Sequence, residues 1–300
     1  MLMEVHQVRY ALAVAEQRSF TAAANLLHVS QSGVSAQVAL LERELGVTLF
    51  HRTSRGIQIT PAGEPVLEQL RRAATELDQV HAVADELNGL LRGTVAIGAV
   101  AGLAWPPFFD ALQLVHDAHP GLDLTLREGT SALVQEDVAE GRLDLAVVSW
   151  PRHPRAGLAS WIALNERVTA IVAPDHPWAQ RTDIPPAELL DQPVICLTPG
   201  TGMRTAYDAM MAAEGLPAPV AWEVTLPTTA RALAARGMGV AVLTSSRADP
   251  PTDLAHIALS STHAASALGV VWRDRPRPSA ATRAVLTALR THLDVTTEET

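Results

Sequence analysis

Apolar residues recur at helical spacing from the start of the chain. Val5, Val8, Leu12 and Ala15 fall three or four residues apart, which predicts an amphipathic helix over residues 4–17. Ser19 offers an N-cap oxygen to a second, short helix over 20–27, whose apolar face is Phe20, Ala23, Ala24 and Leu27. His28-Val29 makes a tight break. Ser30 then caps a third helix that runs to Leu45, with Val34, Val38, Leu41 and Leu45 facing inward, and Gly46 stands in the C′ position that favours a left-handed residue. Two short helices joined by such a break fit a helix-turn-helix. They fit an ordinary three-helix cluster with a polar outer face as well. Residues 48–52 and 57–59 read as two short strands around the turn Thr53-Ser54-Arg55-Gly56, a hairpin that forms a wing with Arg52 and Arg55 at its tip.

A different period follows. Thr60 can cap a helix with Pro61 in its first position. Val66, Leu70, Ala73, Leu77, Val80, Ala84, Leu87 and Leu91 then alternate in steps of four and three, a heptad seam suited to a second helix. Residues 61–92 are therefore read as a linker helix with a helix–helix partner along 61–91, although an amphipathic core helix gives part of the same pattern. Arg92-Gly93 ends it.

Beyond Gly93 strands and helices alternate. Strands are expected near 94–100, 122–127, 143–149, 167–173, 193–197, 239–243 and 268–272. Helices are expected near 103–117, 131–140, 202–214, 227–236 and 279–291. This order implies an α/β fold, mostly parallel, in one sheet or two, and ligands of such sheets sit outside the carboxyl ends of strands.

Charge refines the picture. The chain of 300 residues carries a formal net charge of −9, which by itself disfavours phosphate binding. Residues 1–60 hold five Arg and four Glu, a net of +1, so the acidity lies in the remainder. A nearly neutral N-terminal segment permits DNA contact. Every basic residue is Arg, which together with the high Ala content reads as composition bias. The single cysteine, Cys196, lies in the apolar run Pro193–Leu197 and reads as a buried strand residue. Glu4, His6, Gln7 and Arg9 interrupt any N-terminal apolar segment, and no stretch reaches the ~18 apolar residues of a membrane span. A soluble, cytoplasmic protein is expected.

The ordered motif is more specific. Ser19-Phe20-Thr21-Ala22-Ala23-Ala24, Leu27-His28-Val29-Ser30-Gln31, Val34-Ser35, Leu45-Gly46-Val47, Leu49-Phe50, Arg52 and Thr60-Pro61-Ala62-Gly63 resemble the winged helix-turn-helix of LysR-type transcription regulators. The resemblance implies a winged helix-turn-helix DNA-binding domain over 3–60, the linker helix, and an effector-binding domain over 93–300. The last would resemble periplasmic binding proteins, with one subdomain over about 93–164 and 268–300 and another over about 165–267. Leu143–Val147 and Gly237–Leu243 fall at familiar places in it. A homodimer, or a dimer of dimers, would read a partly palindromic operator. The DNA-contacting residues so implied are Thr21, Ser30, Gln31, Ser32, Ser35, Gln37, Arg52, Thr53 and Arg55. The chain departs from the family at Ser32, where Pro is usual, and at Ala36 and Ala39, where polar or basic residues are frequent.

A small effector, anionic if helix N-termini hold it, is expected in the cleft between the subdomains. Strand ends and helix starts nominate Val100, Ala101, Gly102, Thr130, Ser131, Ser149, Thr201, Gly202 and Thr228, with Arg204 placed to pair with a carboxylate. Ordinary N-caps and a solvated Arg would give the same pattern. Many family members have Ser or Thr near 100–101, so Val100-Ala101 points to a more hydrophobic ligand.

Enzyme signals are weak. His116 and His119 lack the companion ligands of a zinc site. No nucleophile elbow, phosphate loop or dinucleotide fingerprint occurs, and the six Trp are scattered. Neither enzyme activity nor a cofactor or metal is expected. The alternative to a regulator is a small-molecule-binding module whose N-terminal helices serve assembly only.

Overall fold

Val8, Ala11 and Val14 lie on one face of helix α1 (Val5–Gln17) and are at most 3% exposed. They meet Ala23 and Ala24 of α2 (Phe20–Leu26) and Val34, Val38 and Leu41 of α3 (Gln31–Leu45) in one core. In this computed structural model residues 3–53, 56–87, 91–245, 253–275 and 277–293 are described. The chain divides into two units, Met1–Asn88 and Gly89–Thr300.

In the first unit hydroxyl caps set where helices begin. Ser19 Oγ accepts the Ala22 N–H at 3.2 Å and Ser30 Oγ accepts the Gly33 N–H at 3.1 Å. Gly46 closes α3 in the left-handed region, at φ 68°. The Glu42 carboxylate accepts the N–H groups of Leu49 (2.6 Å) and Phe50 (3.1 Å), which starts strand β1 (Phe50–Thr53). Strand β2 (Gly56–Ile59) pairs with it antiparallel, Phe50 opposite Ile59.

Helix α4 spans Gly63–Leu87, so its regular part starts two residues after Pro61. Thr60 donates its hydroxyl to Thr48 O (2.6 Å) and accepts the Gly63 N–H on the same oxygen (2.7 Å), tying helix to wing. The expected heptad seam is divided in its task. Leu67 and Leu70 are buried in the core of the unit, with Val66 packed beside them, whereas Leu77 and Val80 are 38% and 65% exposed. The side chains of Ala84 and Leu87 lie outside the described residues. Leu91 is not part of the helix; it packs on the core of the second unit.

The second unit is built on a ten-stranded mixed sheet. Its first lobe contains β3 (Gly93–Val100), β4 (Leu122–Gly129) and β5 (Leu145–Trp150), all parallel, with helices α5 (Pro106–Ala118) and α6 (Ser131–Ala139). The second lobe begins in β6 (Ala159–Val172) and continues through β7 (Asp183–Ile184), β8 (Val194–Leu197), α7 (Gly202–Ala213), β9 (Trp222–Val224), α8 (Pro227–Ala234), β10 (Val240–Ser245) and β11 (Ala255–Leu259). Strand β12 (Ala265–Trp272) returns antiparallel to both β5 and β6, and α9 (Ala280–Leu293) packs back on α5. β6 and β12 thus run through both lobes. Each lobe has its own cores, one set around Val95, Phe108 and Val270, the other around Cys196, Tyr207 and Val242.

Two features differ from the sequence expectation. β6 starts at Ala159, eight residues before the expected strand, and the polar run Asn165-Glu166-Arg167 separates its apolar first part from the apolar stretch that follows. β7, β9 and β11 are two to five residues long and follow no apolar run.

Asp144 joins β3 to β5. Its carboxylate accepts the Ala96 N–H at 2.8 Å and its own N–H reaches Ala96 O at 2.7 Å. Burial pushes this carboxyl above the usual value of 3.8, opposed by the Ala96 bond and by Arg273. A raised carboxyl costs stability above the unfolded value, and the cost disappears as the group protonates. Asp144→Asn is therefore expected to raise the unfolding midpoint at pH 7 and to lose that advantage as pH falls toward 3.8. Asp144→Ala leaves the Ala96 N–H unpaired and should cost about 1–3 kcal/mol. Thermal unfolding across pH checks both; an advantage of Asp144→Asn that grows on acidification contradicts the assignment.

Candidate functional site

On the first unit the first turn of α3 is held by its own cap. Ser30 Oγ, already bonded to Gly33, also accepts the Ser32 hydroxyl at 3.3 Å. Gln31 and Ser32 are exposed on this turn, and Ala36, Ala39 and Arg43 continue the exposed strip. Ser35 is half-buried beside it, and Thr21 is exposed on the first turn of α2. Gln37 differs from expectation. It is half-buried, and its carboxamide oxygen accepts from Gln7 Nε2 of α1 at 3.1 Å, so it steadies α3 from behind. Arg52 and Thr53 belong to β1, opposite Ile57 and Gly56, and Arg55 lies outside the described residues.

Three positions near this face were passed over in the sequence: Arg18, His28 and Arg43, all exposed. Arg18 and His28 adopt left-handed φ values of 47° and 54° at the ends of α1 and α2. Their location at helix breaks was the available signal, since non-glycine residues in that region mark fixed turns. An exposed amide and hydroxyl on a helix start, flanked by guanidinium groups and a hairpin, can bond base edges and phosphates.

In the second unit the candidates fall into two groups. Thr130 caps α6 and Thr201 caps α7, each hydroxyl accepting a first-turn N–H at 3.3 Å. The two helix starts meet across the lobes. Ala132 N–H donates to Gly200 O at 3.0 Å, and Ser131 Oγ accepts N–H groups from Ser149 (3.3 Å) and Gly202 (3.2 Å). Ser149 Oγ donates to the buried Glu166 carboxylate at 3.0 Å. Gly202 permits this approach: a Cβ there would stand 2.4 Å from Ser149 O and 2.5 Å from Ser149 Cβ. A cavity of about 300 Å³ opens beside this junction, lined by Ser131, Ser149 and Thr205 with Trp150, Pro151, His153, Pro154 and Arg155.

Val100, Ala101, Gly102 and Thr228 form the other group. Ala101 N–H bonds Gly129 O at 2.9 Å and Gly102 N–H bonds Glu128 Oε1 at 3.3 Å. A Cβ at Gly102 would meet Leu226 and Pro227 at 3.3 Å, so the two lobes also approach each other at this exposed side of the junction. Arg204 stands apart from the expectation that it awaits a carboxylate. Its Nε already bonds both Asp208 oxygens (2.8 and 3.0 Å), and its Nη1 lies 3.3 Å from Glu223. Gln135 lines the cavity beside Ser131 together with His153 and Arg155, and spacing in the sequence does not point to the last two because Pro151–Arg155 lies beyond a strand end and belongs to no periodic element.

Comparison with known proteins decides the family. The model of the bacterial regulatory helix-turn-helix protein, lysR family, matches residues 5–64, and that of the LysR substrate binding domain matches residues 88–294. The chain belongs to the LysR family. It is a LysR-type transcription regulator, with a helix-turn-helix DNA-binding domain followed by an effector-binding domain. It is 29% identical over 290 residues to the uncharacterized HTH-type transcriptional regulator YnfL of Escherichia coli (strain K12), spanning 94% of this chain and 96% of that one. It is 27% identical over 241 residues to the DNA-binding transcriptional dual regulator OxyR of the same strain, spanning 80% and 79%. A solved full-length OxyR variant from Pseudomonas aeruginosa has the same fold, with a TM-score of 0.76 at 24% identity over 100% of this chain and 99% of that one. These relatives are transcription regulators. LysR regulators bind DNA operators and small-molecule effectors and act as oligomers. No described helix of this one is long and apolar enough to cross a membrane.

The contact at Gly202 predicts a specific sensitivity. Gly202→Ala should force α7 away from Ser149 and cost about 1–3 kcal/mol by overpacking, read as a fall of several degrees in thermal unfolding. Unchanged unfolding would mean that the two lobes do not approach this closely.

Proposed function

We propose that the first unit reads its operator chiefly through Gln31, Ser32 and Ser35, with the wing arginines Arg52 and Arg55 on phosphates. The exposed first turn of α3, fixed by the Ser30 cap, is the observation that carries this reading. Thr21, Thr53, Arg18 and Arg43 supply further backbone contacts. Ser30 acts mainly as the cap, and Gln37 positions the helix through Gln7. The exposed Leu77 and Val80 continue the heptad spacing beyond the core of the unit, and pairing of α4 with that of a second chain covers them. Two reading heads then meet two half-sites, and two dimers assemble into a tetramer. The protein works in the cytoplasm and catalyses no reaction.

The effector occupies the lobe junction of the second unit, at Ser131, Ser149, Thr201 and Gly202. It acts by binding one arrangement of the oligomer more tightly than another. Several relatives bear the name hydrogen peroxide-inducible genes activator. This chain's response is of another kind. Its sole cysteine, Cys196, is fully buried, and burial pushes its thiol up to about 12, far from the thiolate that peroxide attack needs. The signal is a bound molecule.

Mobility shifts with DNA from upstream of the protein's own gene test the reading head. Gln31→Ala should change the preferred base at one position of the half-site, at about 1–3 kcal/mol. Arg55→Ala should weaken all sequences alike and reduce the salt slope by about 1. Equal, sequence-independent losses for both variants would contradict the division of roles.

A further inference from the structure

The cavity at the lobe junction has a lip of its own. The segment Pro151-Arg152-His153-Pro154-Arg155 holds two arginines and a histidine and no acid, on a chain whose formal net charge is −9. His153 and Arg155 line the cavity, both are exposed, and neither side chain has an ion-pair partner among the described residues. The lip is fastened in place. Gln135, 8% exposed on α6, accepts the Arg155 N–H at 2.7 Å and donates to Ser131 O at 3.0 Å. The position of Arg155 is thus tied to the helix turn that carries Ser131.

Ser131 adds a second observation. Its side chain is 3% exposed and its oxygen accepts two N–H groups, from Ser149 and Gly202. A hydroxyl with both acceptor positions used still has one proton to donate. No described residue takes it, and Ser131 lines the cavity. That proton is available to an acceptor placed in the cavity. The starts of α6 and α7 face the same place with their partial positive charge. Trp150, Pro151 and Pro154 wall the remainder with apolar surface.

We infer that the effector is a small organic anion. Its carboxylate is held by Arg155, assisted by His153 and the Ser131 hydroxyl, and its apolar body lies against Trp150 and the two prolines. A cavity of about 300 Å³ is at the small end of ligand sites, which limits the body to a few carbons or one ring. Arg204, engaged with Asp208 and Glu223, takes no part. The inference rests on the effector occupying the lobe junction, and it names the chemistry that the junction selects.

The test uses the full-length protein and a series of four- to eight-carbon monocarboxylates, each beside its uncharged amide, in calorimetric titration and thermal unfolding. At least one carboxylate should bind and raise the unfolding midpoint, and its amide should bind at least tenfold more weakly. Arg155→Gln should weaken the carboxylate at least tenfold and leave the amide within twofold. Arg236→Gln, on an exposed residue away from the cavity, should change neither. Thr205→Phe, which fills the cavity from an exposed helix position, should weaken acid and amide together. An amide that binds as well as its acid, or a carboxylate indifferent to Arg155→Gln yet blocked by Thr205→Phe, overturns the anion assignment and leaves the junction as the site. A carboxylate indifferent to both variants overturns the junction itself. A series in which no carboxylate binds overturns the anion assignment.

Discussion

The junction between the two lobes of the second unit is organised around one oxygen. Ser131 Oγ accepts an N–H from Ser149 of its own lobe and another from Gly202 of the other lobe. One donor lies near the end of β5 and the other on the first residue of α7, where the helix itself offers the Gly202 N–H no acceptor; leaving that buried group unpaired costs about 1–3 kcal/mol. The geometry leaves no room for a side chain at position 202. A change in the contents of the adjacent cavity therefore acts on the contacts that join the lobes. This gives a ligand a way to prefer one arrangement over another, which is what regulation by an effector requires.

The first unit is organised by the same kind of bond. Ser19, Ser30 and Thr60 each accept an N–H three residues on, and each sets the start of a helix. Glu42 does the equivalent for β1. Because the caps fix the helix starts, the exposed residues of α3 hold a defined order: Gln31 and Ser32 outermost, Gln37 turned to α1. Base reading requires such placement, because a donor displaced by one residue on a helix points about 100° away.

Much of this was legible in the sequence. Helix starts could be read because Ser and Thr caps are local, and the helix-turn-helix, its wing and the alternation of strands and helices follow from period and punctuation. Less legible was whatever depends on partners distant in the chain. Gln37 has the spacing of an exposed residue, and only its bond to Gln7, thirty positions away, turns it inward. Arg204 has the look of an anion-binding residue until Asp208 and Glu223 are seen beside it. The first part of β6 is hidden because the polar triplet Asn165-Glu166-Arg167 interrupts the apolar run in mid-strand, where the strand crosses between lobes. The basic lip was missed because it belongs to no regular element; only its closeness to Ser131 through Gln135 gives it a role.

Amide hydrogen exchange of the full-length protein tests the central contact most directly. In the wild type the amides of Ala132 and Gly202 should exchange slowly, as buried bonded groups do. In Ser131→Ala the Gly202 amide loses its acceptor and should exchange at least tenfold faster, and Ala132, bonded across the same junction, should follow it while the amides of β8 and β10 stay protected. Exchange at Gly202 and Ala132 that is unchanged by the substitution would contradict the claim that the Ser131 hydroxyl holds the lobes together.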